Sequence, residues 1–249
     1  MICGALLACA TAFLANGDFT TRIDNPYLPM RPGSRWIYRE TETDGTVQRV
    51  VVRVTRRTKR VAAGITARVV RDTVTERGQL VEDTFDWFAQ DRAGNVWYLG
   101  EDTTEYENGR PVSKEGSWEA GVDGATAGIV MLARPRPGRS YRQEHYPGEA
   151  EDRARVLSID EQAEVPAGHF KRVISTKDWT PLQPRVLEYK FYARGIGLVM
   201  ALDISGGSGR EELVRYRPGG RPRSASSSSN RASGSSSAPP SSSRSRASR

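Results

Sequence analysis

The sequence predicts an all-β fold, an antiparallel meander that curls into a half-barrel, a barrel or a sandwich. Short runs in which apolar and polar residues alternate follow one another along most of the chain, with turn residues between them. Val, Ile, Thr, Tyr, Phe and Trp fill these runs, as half-buried strands require. No amphipathic run reaches the ~10 residues of a helix. Together these observations indicate about a dozen strands in hairpin succession within a single domain.

The chain begins with an apolar run, ICGALLACATAFLA, that resembles the apolar part of a secretory signal but has no basic residue before it. The run is too short for a transmembrane helix. Two processing sites compete, because Cys9 ends a phrase like a lipoprotein box and would carry a lipid, whereas Ala10 to Ala12 fit a small-x-small cleavage site. We therefore take residues 1–18 as a leader and expect an exported protein, secreted or attached to the cell envelope.

The first strands are predicted from the turns between them. Asp44-Gly45 separates SRWIYRET from TVQRVVVRVTR, and Arg77-Gly78 separates the next two runs. Asn108-Gly109 is the pair best suited to a tight type I′ turn. In the first of these runs Trp36 and Tyr38 fall on the same face, because side chains alternate along a strand.

The stretch DTFDWFAQDRAGNVWYLGEDT is predicted to be the central hairpin, with a type I turn from Asp91 to Gly94. Trp87 and Trp97 share one face and are expected near each other across the ladder. Phe88 and Tyr98 share the opposite face. Aromatic residues therefore occupy both faces, which indicates a sheet that is covered on both sides or one face that lines a cavity.

Residues 119–138, EAGVDGATAGIVMLARPRPG, interrupt the alternation with Gly, Ala and Pro. A segment of this length in a compact domain is often a cover, so we predict a long covering loop over an open face of the sheet. Strand patterns resume in RARVLSID, FKRVISTKDW, VLEYKFYA, GLVMALDI and REELVRY. The sequence GGSGR, from Gly206 to Arg210, is interpreted as the hairpin turn before the last strand.

The formal net charge is +7, but its source is local. Residues 218–249 contain six arginines and no acid, and without them the rest of the chain has a net charge of +1. This Ser-, Arg- and Pro-rich tail has too little apolar surface to fold, so we predict disorder there and a single β domain over residues 19–217. Nucleic-acid binding by the folded domain is not expected.

Three phrases resemble a group of exported bacterial all-β proteins and lipoproteins, most of them uncharacterised. They are NPYLPMRPGSRWIYR (25–39), VPAGHFKRV (165–173) and YARGIGLVMALD (192–203), with Met30 where the group usually has leucine. Some members look like the half-barrel of periplasmic lipoprotein carriers. The resemblance extends from Phe19 to Tyr216 and implies a curved sheet and export, but no activity.

The chain offers few residues for metal or nucleophilic chemistry. It has two histidines, His145 and His169, and its two cysteines, Cys3 and Cys9, both lie in the leader. No H-x-x-x-H motif and no Cys/His pair occurs, so a zinc site is not expected. There is no G-x-S-x-G elbow and no glycine-rich phosphate loop before a helix. No cofactor is predicted.

Carboxylates are plentiful around the central hairpin. They are Asp83, Asp86, Asp91, Glu101, Asp102, Glu105 and Glu107. A glycosidase needs two carboxylates across a sugar with aromatic platforms nearby, whereas a calcium loop needs acids spaced more regularly than in DRAGN. A simpler interpretation is a strand with one wet face and one dry face. A carboxylate-dependent carbohydrate-active enzyme is therefore the alternative function.

Tryptophan is the residue type that most suggests a binding site. If the sheet curls, tryptophans on its concave side would line an apolar cavity, although ordinary core packing accounts for them too. We predict a non-enzymatic binding or envelope-associated module for an apolar or amphiphilic, lipid-like ligand, with membrane contact only through a lipid on Cys9. The candidate ligand-binding residues are Trp36, Trp87, Trp97, Tyr98, Trp118 and Trp179.

Overall fold

The computed structural model describes residues 18–220, and every element of regular structure among them is a β-strand. The strands are β1 (Phe19–Thr20), β2 (Arg35–Thr41), β3 (Val47–Arg60), β4 (Thr66–Glu76), β5 (Gln79–Asp91), β6 (Val96–Glu107), β7 (Arg110–Ser113), β8 (Trp118–Glu119), β9 (Thr126–Met131), β10 (Ser140–Arg142), β11 (Glu144–His145), β12 (Arg153–Val165), β13 (Gly168–Trp179), β14 (Leu187–Ala193), β15 (Gly197–Ser205) and β16 (Arg210–Arg217).

All strands pair antiparallel in one sheet, in the order β10-β12-β13-β14-β15-β16-β2-β3-β4-β5-β6-β9-β11. Two meanders, β12 to β16 and β2 to β6, are joined where β16 pairs with β2. The short strands β1, β7 and β8 add to β5 and β6. The predicted all-β antiparallel meander is confirmed.

The sheet curls until its two ends meet at one seam. β9 lies next to β10 across this seam, although the hydrogen bonds of β9 run to β6 and β11 and those of β10 run to β12. One core cluster contains Met131 from β9, Val156 from β12 and Trp36 from β2 in the middle of the sheet. Because side chains from both ends and the middle pack together, the concave face encloses the core of a nearly closed barrel.

The three dipeptide turns form as predicted. Asp44-Gly45 joins β2 to β3, Arg77-Gly78 joins β4 to β5, and Asn108-Gly109 joins β6 to β7. Arg77 and Asn108 have φ angles of 49° and 51°, and the glycines after them have 84° and 75°. A type I′ turn requires positive φ at both central positions. Arg77 therefore adopts a positive φ, although arginine usually has a negative one.

The central hairpin is covered on both faces, as the alternation of aromatic residues predicted. Inside the barrel, Phe88 stacks on Tyr98 with ring centroids 4.9 Å apart. Outside, Trp87 and Leu99 are buried in a second cluster together with Ala120. Residues 119–138 supply this outer cover, but they also contain β9, so the predicted long loop is partly a strand at the seam.

Residues 21–34 form a plug at one end of the barrel. Ile23 and Met30 enter the core, and the Asn25 amide nitrogen donates to two backbone carbonyls, in the β5–β6 turn and after β9, at 2.9 and 3.2 Å. The Gly195 N–H donates to Pro26 O at 2.7 Å. These partners lie at the same end of the barrel, so the Asn-Pro-Tyr-Leu-Pro-Met phrase closes that end.

The two terminal predictions concern residues that the structure does not describe. Cys9 and Ala10 to Ala12 lie outside the described residues, as does the tail from residue 221 onward. Lipidation, cleavage and the bounds of leader and tail therefore stay predictions. At the C-terminal limit of the described chain, the Gly219 N–H donates to Ser34 Oγ at 2.9 Å. None of residues 18–220 forms a helix with the length and hydropathy that crossing a bilayer requires.

Candidate functional site

The inward side chains change from apolar at the plugged end to acidic at the other end. On β2, Trp36 and Tyr38 are buried, and Glu40 follows at the next inward position. On the neighbouring strand β16, Leu213 pairs with Tyr38 and Glu211 pairs with Glu40. The same two strands therefore supply the core at one end and a pair of carboxylates at the other.

The central hairpin repeats this gradient. On β5 the inward positions run from Phe88 through Asp86 to Glu82. On β6, Tyr98 pairs with Phe88 and Glu101 pairs with Asp86. Because the sheet is curled, carboxylates from strands far apart in sequence are brought to one open end of the lumen.

The open end holds a cavity of about 560 Å³ with an acidic lining. Seven carboxylates line it, and no lysine, arginine or histidine is among its lining residues. Four valines, a tyrosine and a glutamine complete the wall: Val50, Val74, Val81, Val112, Tyr106 and Gln48. Within the described part of the chain, no group of His, Cys, Asp or Glu is arranged to hold a metal ion. We call the seven carboxylates the acidic mouth; they are Glu40, Glu42, Asp72, Glu82, Glu105, Glu107 and Glu211.

Burial makes ionisation of three carboxylates of the acidic mouth unfavourable. Burial raises the pKa of Glu40 and that of Asp72 to about 7, and the pKa of Glu211 to about 8. Repulsion by neighbouring carboxylates adds to burial; for Glu211 the strongest are Glu40 and Asp72, whereas Lys190 acts in the opposite direction and lowers its pKa. At neutral pH the cavity is therefore partly protonated and electrostatically suited to a cation.

Asp72 has an acceptor atom that no group among residues 18–220 satisfies. Its Oδ1 is buried and has no hydrogen-bond partner among the described residues. Such a buried acceptor destabilises a fold by about 1–3 kcal/mol. Since Asp72 lines the acidic mouth, a donor group on a ligand in the cavity would satisfy this oxygen.

Deeper in the lumen, an aspartate is held by a tyrosine. Tyr98 Oη donates to Asp86 Oδ1 at 2.8 Å, and Trp118 packs edge-on against the Tyr98 ring at 5.4 Å. Burial, followed by repulsion from Glu101, raises the pKa of Asp86 well above its ordinary value. Asp86 therefore keeps its proton at a higher pH than an exposed aspartate does.

Lys190 shows how the lumen holds an ammonium group. Its Nζ lies 3.0 Å from Glu188 and 3.6 Å from Asp178. Burial opposes the lysine charge, but these two carboxylates outweigh it and raise the pKa of Lys190 well above its ordinary value. Asp178 also accepts hydrogen bonds from Gln143 and Thr176. A primary amine surrounded by carboxylates and neutral donors is thus already part of this interior.

Three of the predicted tryptophans serve packing at separate places. Trp36 lies in the core, where its Nε1 donates to a backbone carbonyl at 2.8 Å. Trp87 lies in the outer cluster, with Lys59 Nζ 3.5 Å from its ring centroid. Trp97 packs edge-on against Phe19 at 5.9 Å. The register pairs Trp97 with Ala89 rather than with Trp87.

Of the other three candidate ligand-binding residues, two are in contact with each other. Tyr98 and Trp118 are in edge-to-face contact beside the lumen, whereas the half-buried Trp179 lies near Lys177 at 5.9 Å. The structure therefore does not gather the six predicted aromatics into one surface. Their role in ligand binding stays a prediction.

Two of the acids that would serve a glycosidase, Asp86 and Asp91, lie apart, whereas Asp86 pairs with Glu101 across the ladder. Asp86 faces the lumen with Tyr98, whereas Asp91 lies in the β5–β6 turn and accepts from Trp97 Nε1 at 2.9 Å and from Asn95. Hydrogen bonds to the ionised form lower the pKa of Asp91, although partial burial opposes them. Asp91 thus stabilises the turn and does not share a site with Asp86.

Sequence reasoning missed three carboxylates that define the mouth. Glu40, Asp72 and Glu211 lie on β2, β4 and β16, away from the acid-rich central hairpin. The sequence signal for them is the alternation of side chains along a strand. Glu40 is two and four residues from the buried Tyr38 and Trp36, so all three point to the same face. A carboxylate that continues a buried face marks the place where that face opens to water.

Two solved structures are similar to the chain. One is a protein of Bacteroides fragilis described as exported and as having a YmcC-like fold; it is 15% identical, covers 77% of this chain and 99% of its own, and has a TM-score of 0.46. The other is a protein of Parabacteroides distasonis described as a lipoprotein, with 12% identity, coverage of 78% and 99%, and a TM-score of 0.44. No model of a known protein family matches the chain, and neither does any curated protein.

Proposed function

We propose that this chain is an exported, non-enzymatic binding module that takes a cationic amphiphile into the acidic mouth of its barrel. The observation that carries the proposal is a cavity lined by seven carboxylates and no basic side chain, in which Asp72 Oδ1 is buried without a partner. Export rests on the apolar leader of the sequence.

The charge of the cavity supports a cation. Glu40 and Glu211 lie opposite each other on adjacent strands, and their raised pKa values reflect burial and mutual repulsion. An ammonium group between Glu40 and Glu211 would compensate their negative charges. Deeper in the lumen, the ammonium group of Lys190 lies between Glu188 and Asp178 in this way. An anionic ligand would meet the same repulsion that the carboxylates already exert on each other.

The remaining wall and the size of the cavity support an apolar part on the ligand. Four valines share the lining with the carboxylates, and about 560 Å³ lies within the range of ~300–1,000 Å³ that is typical of small-molecule pockets. The carboxylates are spread around this cavity rather than gathered about one point. That spread suits an organic amine with a hydrocarbon portion.

Isothermal titration with three probes tests the proposal. Dodecylamine carries both the charge and the apolar chain, dodecanoate has the same chain with the opposite charge, and spermine has charge without a long apolar chain. We expect dodecylamine to bind one-to-one and more tightly than spermine, and dodecanoate not to bind. Tighter binding of dodecanoate than of dodecylamine would overturn the proposal.

Variants locate the binding. Asp72→Asn and Glu211→Gln keep the size of each side chain but remove its charge, and each should weaken dodecylamine binding roughly tenfold, the equivalent of about 1.4 kcal/mol. Glu164→Gln is the matched control, because Glu164 is an exposed acid on β12 outside the cavity lining. Equal weakening in all three variants would indicate a general charge effect and not a site.

A further inference from the structure

The outer face of the barrel carries a row of arginines directly opposite one another. Arg217 on β16 pairs with Arg35 on β2, Arg35 pairs with Arg53 on β3, and Arg53 pairs with Arg71 on β4. Adjacent strands lie about 4.8 Å apart, so this arginine row follows the curved outer face of the sheet over a path of ~14 Å.

Most of this charge is not neutralised by the protein. Arg71 forms a bidentate pair with Asp83 at 2.6 and 2.8 Å. Arg35, Arg53 and Arg217 have no carboxylate partner within the described residues. Like charges directly opposite each other in a sheet are destabilising, so the row weakens the fold that carries it.

Arg35, near the middle of the row, also has an unsatisfied donor. Its Nε is buried and has no hydrogen-bond partner in the described part of the chain. Partial burial, and then the neighbouring guanidinium groups of Arg53, Arg49 and Arg217, lower the pKa of Arg35. An anion at the row would supply both the missing acceptor and the missing charge.

The surface around the row is basic and partly apolar. Arg49 and Arg215 also lie on this face, without a carboxylate partner among residues 18–220. Val47 and Val214 are 54% and 40% exposed there. Together with Ile37, they line a shallow depression of about 520 Å³ on the same outer face, further along the strands toward the open end of the barrel. Exposed apolar side chains among arginines are typical of a surface that meets lipid.

Two acids on this face, Glu212 and Asp83, are already paired with arginines. Glu212 accepts from Arg39 and from Arg210, each at 2.7 Å, and these hydrogen bonds lower its pKa although burial opposes them. Asp83 is held by Arg71. Arg35, Arg53 and Arg217 therefore face solvent with their positive charge uncompensated, although residues outside the C-terminal tail have a net charge of only +1.

We infer that the arginine row and the exposed valines further along the same strands dock this face on an anionic phospholipid bilayer. Guanidinium groups bind phosphate oxygens in a bidentate geometry, which suits the arginines that this convex face presents to solvent. Val47 and Val214 would enter the headgroup layer. A soluble polyanion would satisfy the arginines but would leave the exposed valines in water, so the mixed surface favours a bilayer.

Sedimentation of the full chain with vesicles tests this inference. The vesicles contain phosphatidylcholine alone, or phosphatidylcholine with about a third phosphatidylglycerol. The double variant Arg53→Gln/Arg217→Gln should bind the anionic vesicles about 30-fold more weakly, because each basic residue near such a surface contributes about 1 kcal/mol. The matched control is Arg142→Gln/Arg155→Gln, which removes the same charge from two exposed arginines elsewhere; we expect it to retain binding within about threefold.

Two further readouts separate docking on a bilayer from a general effect of charge. The row variant should keep or raise the melting temperature, because it relieves repulsion between guanidinium groups. The variant Val47→Ser/Val214→Ser should also lose vesicle binding while keeping every charge. If the row and control variants lost vesicle binding equally, binding would depend on the overall charge or on the C-terminal tail. That result would overturn the inference. So would binding to soluble polyphosphate that is as strong as binding to vesicles and equally sensitive to the row variant.

Discussion

Glu211 and Glu40 lie directly opposite each other on β16 and β2, and both line the acidic mouth. One residue along each strand, Glu212 and Arg39 form an ion pair at 2.7 Å on the outer face. The same pair of strands thus has a compensated contact outside and an uncompensated one inside. Like charges opposite each other destabilise a sheet. When both are ionised, Glu211 and Glu40 therefore lower the stability of the folded protein.

Neutralising the inner pair should stabilise the protein. We expect Glu211→Gln to raise the free energy of unfolding at pH 8 by about 1 kcal/mol, because it removes repulsion from Glu40 and the burial of a charge. Chemical denaturation at pH 8 measures the change. Glu212→Gln is the matched control one residue away; it breaks contacts with Arg39 and Arg210 and should lower stability or leave it unchanged. A Glu211→Gln protein less stable than the wild type at pH 8 would contradict the prediction.

The protein should become less stable as the pH rises from about 5 to about 8. The pKa of Asp72 is about 7 and that of Glu211 about 8 in the folded state, against ordinary values of 3.8 and 4.5. Between those values the folded state binds more protons than the unfolded state, so the free energy of unfolding falls with pH, in sum by on the order of a few kcal/mol. Melting temperatures measured across this range give the slope.

The double variant Asp72→Asn/Glu211→Gln should flatten this pH profile. The two amides do not titrate, so the fall in melting temperature between pH 5 and pH 8 should shrink to less than about half of the wild-type fall. An unchanged slope would mean that other groups account for the pH dependence. Glu164→Gln, which changes an exposed acid outside the cavity, is expected to leave the profile as it is.

Binding of a cation should be linked to proton release. An ammonium group in the acidic mouth favours the ionised forms of Glu40, Asp72 and Glu211, so it lowers pKa values that lie near 7 to 8 in the free protein. Dodecylamine should therefore bind at least about tenfold more tightly at pH 8.5 than at pH 6. Calorimetry at pH 7 in two buffers of different ionisation enthalpy counts the protons released. Affinity that rises toward low pH would contradict the proposed site.

Local sequence was sufficient for the hairpins but not for the lumen. Asn108-Gly109 specifies its turn through the backbone preferences of both residues and Arg77-Gly78 through that of Gly78, and the structure has both turns where they were expected. The acidic mouth depends instead on the pairing of β16 with β2, which joins Glu211 to Glu40 across most of the chain. No local pattern encodes a contact of that sequence separation.

The net charge of the chain did not reveal that the barrel has a basic outer face and an acidic inner cavity. Along β2 and β3, arginines such as Arg35 and Arg53 take outward positions, while Glu40 takes an inward one. Counting over the whole segment cancels these charges, although the barrel wall separates them in space. Parity along each strand, read together with the buried aromatic residues, is the sequence signal that distinguishes the two faces.

Gly100 should tolerate no side chain. It lies in β6 at the crossing of β8, with φ of 123°, and an added Cβ would lie 2.2 Å from Trp118 O. We expect Gly100→Ala to lower the free energy of unfolding by roughly 3 kcal/mol or more, because a positive φ and a backbone clash act together. Gly45→Ala is the matched control, since Gly45 has φ of 87° but nothing within 4 Å of the added Cβ, and it should cost about 1 kcal/mol. Denaturant unfolding of both variants compares the two costs, and equal losses would show that β8 moves aside and does not fix the position of Trp118 against Tyr98.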